Sequence, residues 1–286
     1  MNRRKKILLT GATSGIGKTA AFRLAKQGHH VIVHGRNTDK AEGTRQEILA
    51  SVPAAEVDVL IADLSCKADV LSMVEIFNSR YDGLDVLINN AGGVMNKLRE
   101  ETADGWEKTI AVNVLAPYML SALLYPQLQR QPGAQIINTA STAHKRADAD
   151  IDDLMSERQY SPMQAYANAK LYVILLGQEF ARRQQLRPGN AVTMNAFHPG
   201  VVATNFAVES NSFYHYFFKL FRPFLATVEK GADTMVYLAN QEGALKHNGA
   251  YFVKRKPAKV HQPKNVELVA KKLWEQAEQI TGIPFL

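Results

Sequence analysis

Seven short runs of apolar, β-forming residues alternate with longer stretches of helical periodicity along the whole chain, and this alternation restricts the fold more than any other feature. The runs fall at 6–9, 31–34, 57–61, 86–88, 136–139, 192–197 and 250–253. They are apolar at successive positions, as in a parallel sheet covered on both faces, and lack the every-second-residue pattern of a sheet that meets water. Helical patterns are predicted over 16–27, 39–50, 68–81, 102–130, 163–187, 228–240 and 266–280. The expectation is an α/β, Rossmann-type, doubly wound parallel sheet of about seven strands with right-handed crossovers. No linker or internal repeat divides the chain, so residues 1–286 are expected to form a single domain, long enough to bury roughly 75% of its unfolded surface.

The first strand runs directly into Thr10-Gly-Ala-Thr-Ser-Gly-Ile-Gly17 and then into an apolar helix. The spacing is Gly-x-x-x-Gly-x-Gly. Gly11 permits a tight turn, Gly15 lets backbone approach a pyrophosphate, and Gly17 lets the helix pack close on the strand. The unpaired N–H groups and positive dipole at the helix start suit an anion. A purely structural glycine turn is the alternative; the position after strand one and before a helix favours a dinucleotide.

The end of the second strand selects between nicotinamide cofactors. An acid there would bind the ribose hydroxyls of NAD(H), whereas an arginine accommodates a 2′-phosphate. The strand ends in Val31-Ile-Val-His-Gly-Arg36, with no acid before Asp39. Arg36 offers a planar fork of donors to phosphate, so NADP(H) is favoured over NAD(H). The competing reading of Arg36 is a solvated loop residue.

Tyr166-Ala-Asn-Ala-Lys170 opens a predicted helix and places Tyr166 and Lys170 on one face, about one turn apart. A free phenol titrates near 10, and a neighbouring ammonium lowers that value towards a usable acid–base. On its own this spacing is common. It gains weight because Ser141 ends the fifth strand, Asn89-Asn-Ala-Gly92 follows the fourth, His198-Pro-Gly200 follows the sixth, and the glycine loop follows the first. In an open parallel sheet, ligands sit beyond the carboxyl ends of the strands. Four strand ends thus direct small, polar or glycine-rich groups at one crevice.

These motifs, in this order, resemble the short-chain dehydrogenase/reductase family over about residues 5–255. The matching positions are Thr10 to Gly17, Asp63-Leu64, Asn89 to Gly92, Asn113, Ser141, Tyr166 with Lys170, and Pro199-Gly200. The resemblance implies hydride transfer between a nicotinamide and a carbonyl/alcohol pair, with Tyr166 as acid–base, Ser141 binding the substrate oxygen, and Asn113 holding a water in a proton relay. It implies that Lys170 binds the nicotinamide ribose and depresses the tyrosine pKa. Asp63 would contact adenine, Asn90 the adenosine side, and Thr204 the carboxamide. The implied cofactor cradle is completed by Gly11, Ser14, Gly15, Ile16, Gly17, Arg36, Leu64, Ala91, Gly92, Pro199, Gly200 and Val202, with no metal.

Within the family the likeness is to the retinol dehydrogenase-like branch, carried by Ile136-Ile-Asn-Thr-Ala-Ser-Thr-Ala-His144, by the 25-residue step from Ser141 to Tyr166, by His198-Pro-Gly-Val-Val-Ala-Thr204 and by Gly249-Ala-Tyr-Phe-Val253. Ala140 stands where a second serine is usual, and Ala169 stands where a serine before the lysine is frequent. Neither departure removes a catalytic group, but both leave the substrate unassigned among apolar aldehydes, ketones and alcohols. His144 reads as a loop residue and not as a second base.

Residues 207–226 hold five Phe and two Tyr. A substrate lid, a helix-core or dimer contact, and a membrane-surface contact all fit that composition. The net charge of +7 is terminal: four basic residues lie in 1–6, and seven face one acid in 254–272. Solvated faces explain such an excess, with anionic lipid or nucleic acid as rivals. No nucleic-acid motif is present, so no nucleic-acid partner is expected. The single cysteine, Cys66, excludes an internal disulfide and fits a reducing compartment. A cytoplasmic protein is expected, with peripheral membrane association as an open reading. The family resemblance adds a homodimer paired through the helices after strands four and five. Two further readings remain: a non-catalytic NADP(H)-binding sensor, and a reductase of xenobiotic ketones or quinones.

Overall fold

The computed structural model describes residues 3–95, 97–186, 192–200, 227–240 and 245–286. Its centre is one eight-stranded sheet in the order β3-β2-β1-β4-β5-β6-β7-β8. The strands are β1 (Lys6–Leu9), β2 (His30–Gly35), β3 (Glu56–Ile61), β4 (Val86–Asn89), β5 (Gln135–Thr139), β6 (Thr193–His198), β7 (Tyr251–Val253) and β8 (Lys256–Pro257). The first seven are mutually parallel, and β8 turns back antiparallel on β7. The doubly wound parallel sheet is as expected. The eighth strand is an addition, formed because Lys254 and Arg255 both adopt positive φ and reverse the chain within two residues.

Alternation along each strand divides the apolar side chains between two cores. Leu8, Ile32, Leu60, Leu87 and Ile136 face one side; Ile7, Leu9, Val31, Val33, Val57, Val86, Ile88 and Ile137 face the other. The second side is covered by α1 (Gly15–Lys26), α2 (Thr38–Ser51) and α8 (Val228–Asn240). The first is covered by α3 (Lys67–Arg80), α5 (Ala116–Leu123) and α7 (Pro162–Gln184). Seventeen of the 23 residues of α7 are buried, since α9 (Val266–Thr281) packs on the side of α7 turned away from the sheet.

The α9 contact continues into an aromatic cluster. Phe285 stacks on Trp274 at 4.9 Å between centroids and meets Tyr118, Tyr125 and Phe180. Tyr118 donates its hydroxyl to the Ile283 carbonyl, and Trp274 donates Nε1–H to the Phe285 carbonyl. Tyr118 and Tyr125 lie in the helices after β4 and Phe180 in the helix after β5, so residues 274–285 tie these helices together.

The single helix expected over 102–130 is broken into pieces with physical causes. Gly105 at φ +77° and the bridge between Glu101 and Glu107 make a turn of its first residues. The helix starts as α4 (Lys108–Ile110), widens to a π-turn at Ala111–Leu115, and continues as α5. Pro117 lacks the N–H that α-helical geometry would place on the Asn113 carbonyl. Pro126 starts the separate short helix α6 (Tyr125–Gln129). Among the described residues, no helix is long and apolar enough to cross a membrane.

Candidate active site

The strand order reverses between β1 and β4, and the crevice beyond their carboxyl ends is where an open α/β sheet takes its ligand. Thr10 knots the two strand ends together. Its hydroxyl donates to the Ile88 carbonyl and accepts from the Asn90 and Ala91 N–H groups at 2.9 and 3.0 Å. The Asn90 amide donates to the Thr10 and Gly11 carbonyls, which holds the turn after β4 against the glycine loop. A Cβ on Gly17 would lie 2.2 Å from the Gly11 carbonyl oxygen and 2.6 Å from the Asn90 amide nitrogen. A Cβ on Gly11, at φ +64°, would lie 2.9 Å from the Ala91 Cα. The cradle is therefore shaped by missing side chains. Ser14 caps α1 from extended backbone, and no side-chain hydrogen bond ties it to that helix end.

On the adenosine side, His34 is fully buried. Its Nδ1 accepts from the Gly11 N–H, and its Nε2 donates to the Ala62 carbonyl, so one ring sets the distance from the glycine loop to the end of β3. Burial holds this imidazole neutral, at a pKa of about 4. Arg36 and Asp63 stand exposed at the ends of β2 and β3. Hydrogen bonds from Ser65, with the Arg36 charge nearby, outweigh partial desolvation and lower the Asp63 pKa. Leu64 was expected to touch a cofactor. Its side chain instead lies in the core, which leaves only its backbone for such a contact.

On the other side of the crevice, the turn after β4 meets α7. A Cβ on Gly92 would fall 2.4 Å from the Asn113 Oδ1 and 3.5 Å from the Lys170 Nζ. The Asn113 side chain accepts from the Gly93 N–H and donates to the Gly93 and Thr109 carbonyls. With those groups engaged, any relay role for Asn113 falls to its carbonyl, the one Pro117 cannot serve. Tyr166 and Lys170 are both buried on α7, with the ammonium nitrogen 5.5 Å from the tyrosine ring centroid. Lys170 donates to the Thr139 carbonyl at 2.8 Å, one residue before Ala140 and Ser141.

Ser141 terminates the β5 edge in extended backbone. Its hydroxyl accepts from the Ala143 N–H and hydrogen-bonds Tyr166. The resemblance implied a tyrosine pKa depressed by Lys170; within the protein chain alone, burial is the larger influence on the phenol. Burial pushes the Tyr166 phenol well above 10, the Ser141 bond only partly offsets it, and burial also lowers Lys170 to about 7. The phenol favours its neutral form, and Lys170 sits near the midpoint of its titration at neutral pH.

Pro199 and Gly200 close β6 at the same end of the sheet, with Gly200 at φ +90°. Val202, Thr204 and the 207–226 segment lie outside the described residues. Of the remaining expected positions, Gly15 and Ile16 open α1 and Ala91 lies on the turn after β4. Sequence reasoning gave no role to Thr10, His34 or His144. A polar residue inside an apolar strand, as at His34, is the signal that could have found it. Among the described residues, no group of His, Cys, Asp and Glu could hold a metal ion.

The site fits a dinucleotide: a glycine loop held tightly against the turn after β4 at the start of a helix, and a buried Asn90 Oδ1 that has no protein partner. The comparisons with known proteins agree. The short chain dehydrogenase family profile matches residues 5–215. Human retinol dehydrogenase 12 is 35% identical over 279 residues, covering 98% of this chain and 87% of that protein. Human polyprenol dehydrogenase is 33% identical over 288 residues, covering 96% and 84%. An uncharacterised protein from Mycobacterium paratuberculosis superposes with a TM-score of 0.76 at 28% identity, covering 99% of this chain and 95% of that one. The chain belongs to the short-chain dehydrogenase family of oxidoreductases, in its retinol dehydrogenase-like branch.

Proposed function

We propose that this protein is an NADP(H)-dependent oxidoreductase that interconverts an apolar aldehyde or ketone with its alcohol. The observation that carries the reading is the hydrogen-bonded pair of Ser141 and Tyr166 beside Lys170, at the crevice that the glycine loop also enters. When bound, the cofactor would supply or accept the hydride. In the direction of reduction, Ser141 and the neutral Tyr166 both donate to the substrate oxygen, where negative charge grows. Tyr166 then passes its proton to that oxygen. Lys170, held by the Thr139 carbonyl, would bind the ribose hydroxyls and, when protonated, sets the field in which the phenol is reprotonated. The backbone carbonyl of Asn113 holds a water that returns the proton from solvent. Retinol and polyprenol, in the names of the relatives, are apolar alcohols and support an apolar substrate.

The test is oxidation of NADPH, then NADH, by the purified protein with decanal, retinaldehyde and a quinone. Turnover with NADPH, better for the larger apolar carbonyls, is expected. Tight NADPH binding without turnover on any of them would replace the enzyme with the sensor.

Two substitutions extend this test. Arg36→Ala is expected to raise the NADPH KM by about 10- to 100-fold, since a charge-assisted bond contributes roughly 1.5–3 kcal/mol, while the NADH KM stays put. An equal change for both cofactors would remove Arg36 from 2′-phosphate recognition. Gly17→Ala forces a methyl into backbone and should cost about 1–3 kcal/mol of stability. Thermal shift with and without NADP+ reads both effects: a lower midpoint, and loss of the ligand-induced rise. A retained rise would show that the loop relaxes without losing its ligand.

A further inference from the structure

His144 is 0% exposed and both of its ring nitrogens are engaged. Nδ1 lies 2.7 Å from the Ser141 carbonyl oxygen, and Nε2 lies 3.2 Å from the backbone N–H of His261. Because the His261 N–H can only donate, Nε2 must accept, and Nδ1 must carry the proton that goes to Ser141. The ring packs edge-on against Tyr251 of β7, at 5.0 Å between centroids. Ala258 donates its N–H to the Tyr251 carbonyl, so the strap at 258–261 is tied down at both ends around this ring.

Ser141 stands at the near end of the bridge. Its carbonyl accepts from the His144 ring and from the His144 backbone N–H, and its hydroxyl accepts from the Ala143 N–H. These three bonds fix the peptide plane and the side-chain rotamer of the one serine that contacts Tyr166. His198, on the far side, accepts from the Thr142 N–H and restrains the next residue. The titratable groups around the His144 ring are Lys145, His198, His261 and Tyr251.

We propose that His144 is a positioning residue for Ser141, and that through its ring the 258–261 strap sets how well Ser141 and Tyr166 meet a carbonyl oxygen. This rests on reading Ser141 and Tyr166 as the carbonyl-binding pair. The ring acts as a two-ended spacer in one neutral tautomer: shortening it frees the Ser141 peptide, and cutting its far bond lets the ring swing.

The test compares His144→Ala, His144→Asn and His261→Pro with wild type, with Tyr166→Phe alongside. The readouts are NADPH oxidation with decanal and retinaldehyde, and NADPH affinity by its fluorescence. His144→Ala is expected to lower kcat about tenfold, the value of one hydrogen bond, with NADPH affinity unchanged. The Asn amide nitrogen can replace Nδ1–H, so His144→Asn is expected to recover most of that loss. His261→Pro leaves the His144 imidazole in place and removes the N–H at its far end, with His261→Ala, which keeps that N–H, as the control for loss of the His261 ring; it should lower kcat by a smaller factor than His144→Ala. It also carries the test if His144→Ala fails to fold. Wild-type kcat in His144→Ala and His261→Pro, or a loss of NADPH affinity that accounts for the fall, overturns the proposal.

Tyr166→Phe with wild-type turnover would defeat the reading of the pair itself. A dead Tyr166→Phe beside a fully active His144→Ala would defeat only the role of His144. A readout free of any substrate is the nitrogen NMR spectrum of labelled protein, in which the neutral His144 ring is expected as the Nδ1–H tautomer. An Nε2–H tautomer overturns the bridge.

Discussion

Tyr166→Phe is expected to lower turnover by about 10² to 10⁴ while leaving NADPH affinity within a factor of two or so, the usual scale for removing a general acid. The substitution deletes one oxygen from a buried ring. The ring stays packed beside Lys170, and the glycine loop, at the opposite wall of the crevice, is untouched. What disappears is the proton donor and the hydroxyl that Ser141 engages. The measurement is single-turnover NADPH oxidation with saturating retinaldehyde, with cofactor binding followed separately by fluorescence. A fall in kcat with intact binding assigns Tyr166 to the chemical step. If kcat survives, proton delivery comes from elsewhere in the crevice, and the mechanism must be rebuilt around another group.

The second large effect concerns stability. Trp274→Ala is expected to destabilise the fold by about 3–5 kcal/mol, the range for deleting a large buried aromatic. Trp274 is fully buried, stacks on Phe285, meets Tyr118 edge-on at 5.5 Å, and lies under the Arg183 guanidinium at 4.9 Å. Its loss also removes the Nε1–H bond to the Phe285 carbonyl and leaves that acceptor buried. A thermal midpoint lower by roughly 10 °C follows from the usual scaling for chains of this size. Calorimetry checks it, with kcat at low temperature as the control. A midpoint unmoved by the substitution would mean that α9 rests on α7 without contributing to its stability.

The parallel sheet and six of its seven expected covering helices were legible in the sequence because burial of both sheet faces forces apolar residues at consecutive positions, a pattern that survives without tertiary knowledge. The helix at 102–130 was misread because its apolar period continues across residues that the backbone cannot pass as an α-helix. Gly105, Pro117 and Pro126 are each visible in the sequence, but the period outweighed them. The antiparallel β8 depends on Lys254 and Arg255 at positive φ, which no composition rule predicts for two long basic side chains.

At the crevice, residues that act through backbone shape were readable. Gly11 and Gly17 are examples, since backbone segments that approach too closely for a Cβ demand glycine. Residues that act through a specific partner were not. His34 and His144 each bridge segments that are remote in sequence, and their partners, Ala62 and His261, contribute only backbone atoms. A backbone carbonyl or N–H leaves no mark on the identity of the residue that carries it. The raised pKa of Tyr166 was not readable for a related reason: it turns on how deeply the ring is buried, which the sequence spacing of Tyr166 and Lys170 does not express.

The aromatic cluster under α9 has a consequence for the order of events during synthesis. Tyr118 and Tyr125 leave the ribosome long before Trp274 and Phe285, yet they finish packing only against those late rings. Until residue 285 is released, the emerging chain carries an apolar strip on the outer side of α7, between the helices that hold the crevice together. That strip is exposed apolar surface of the kind that makes partly folded chains prone to association, and it closes only once residues 274–285 have emerged.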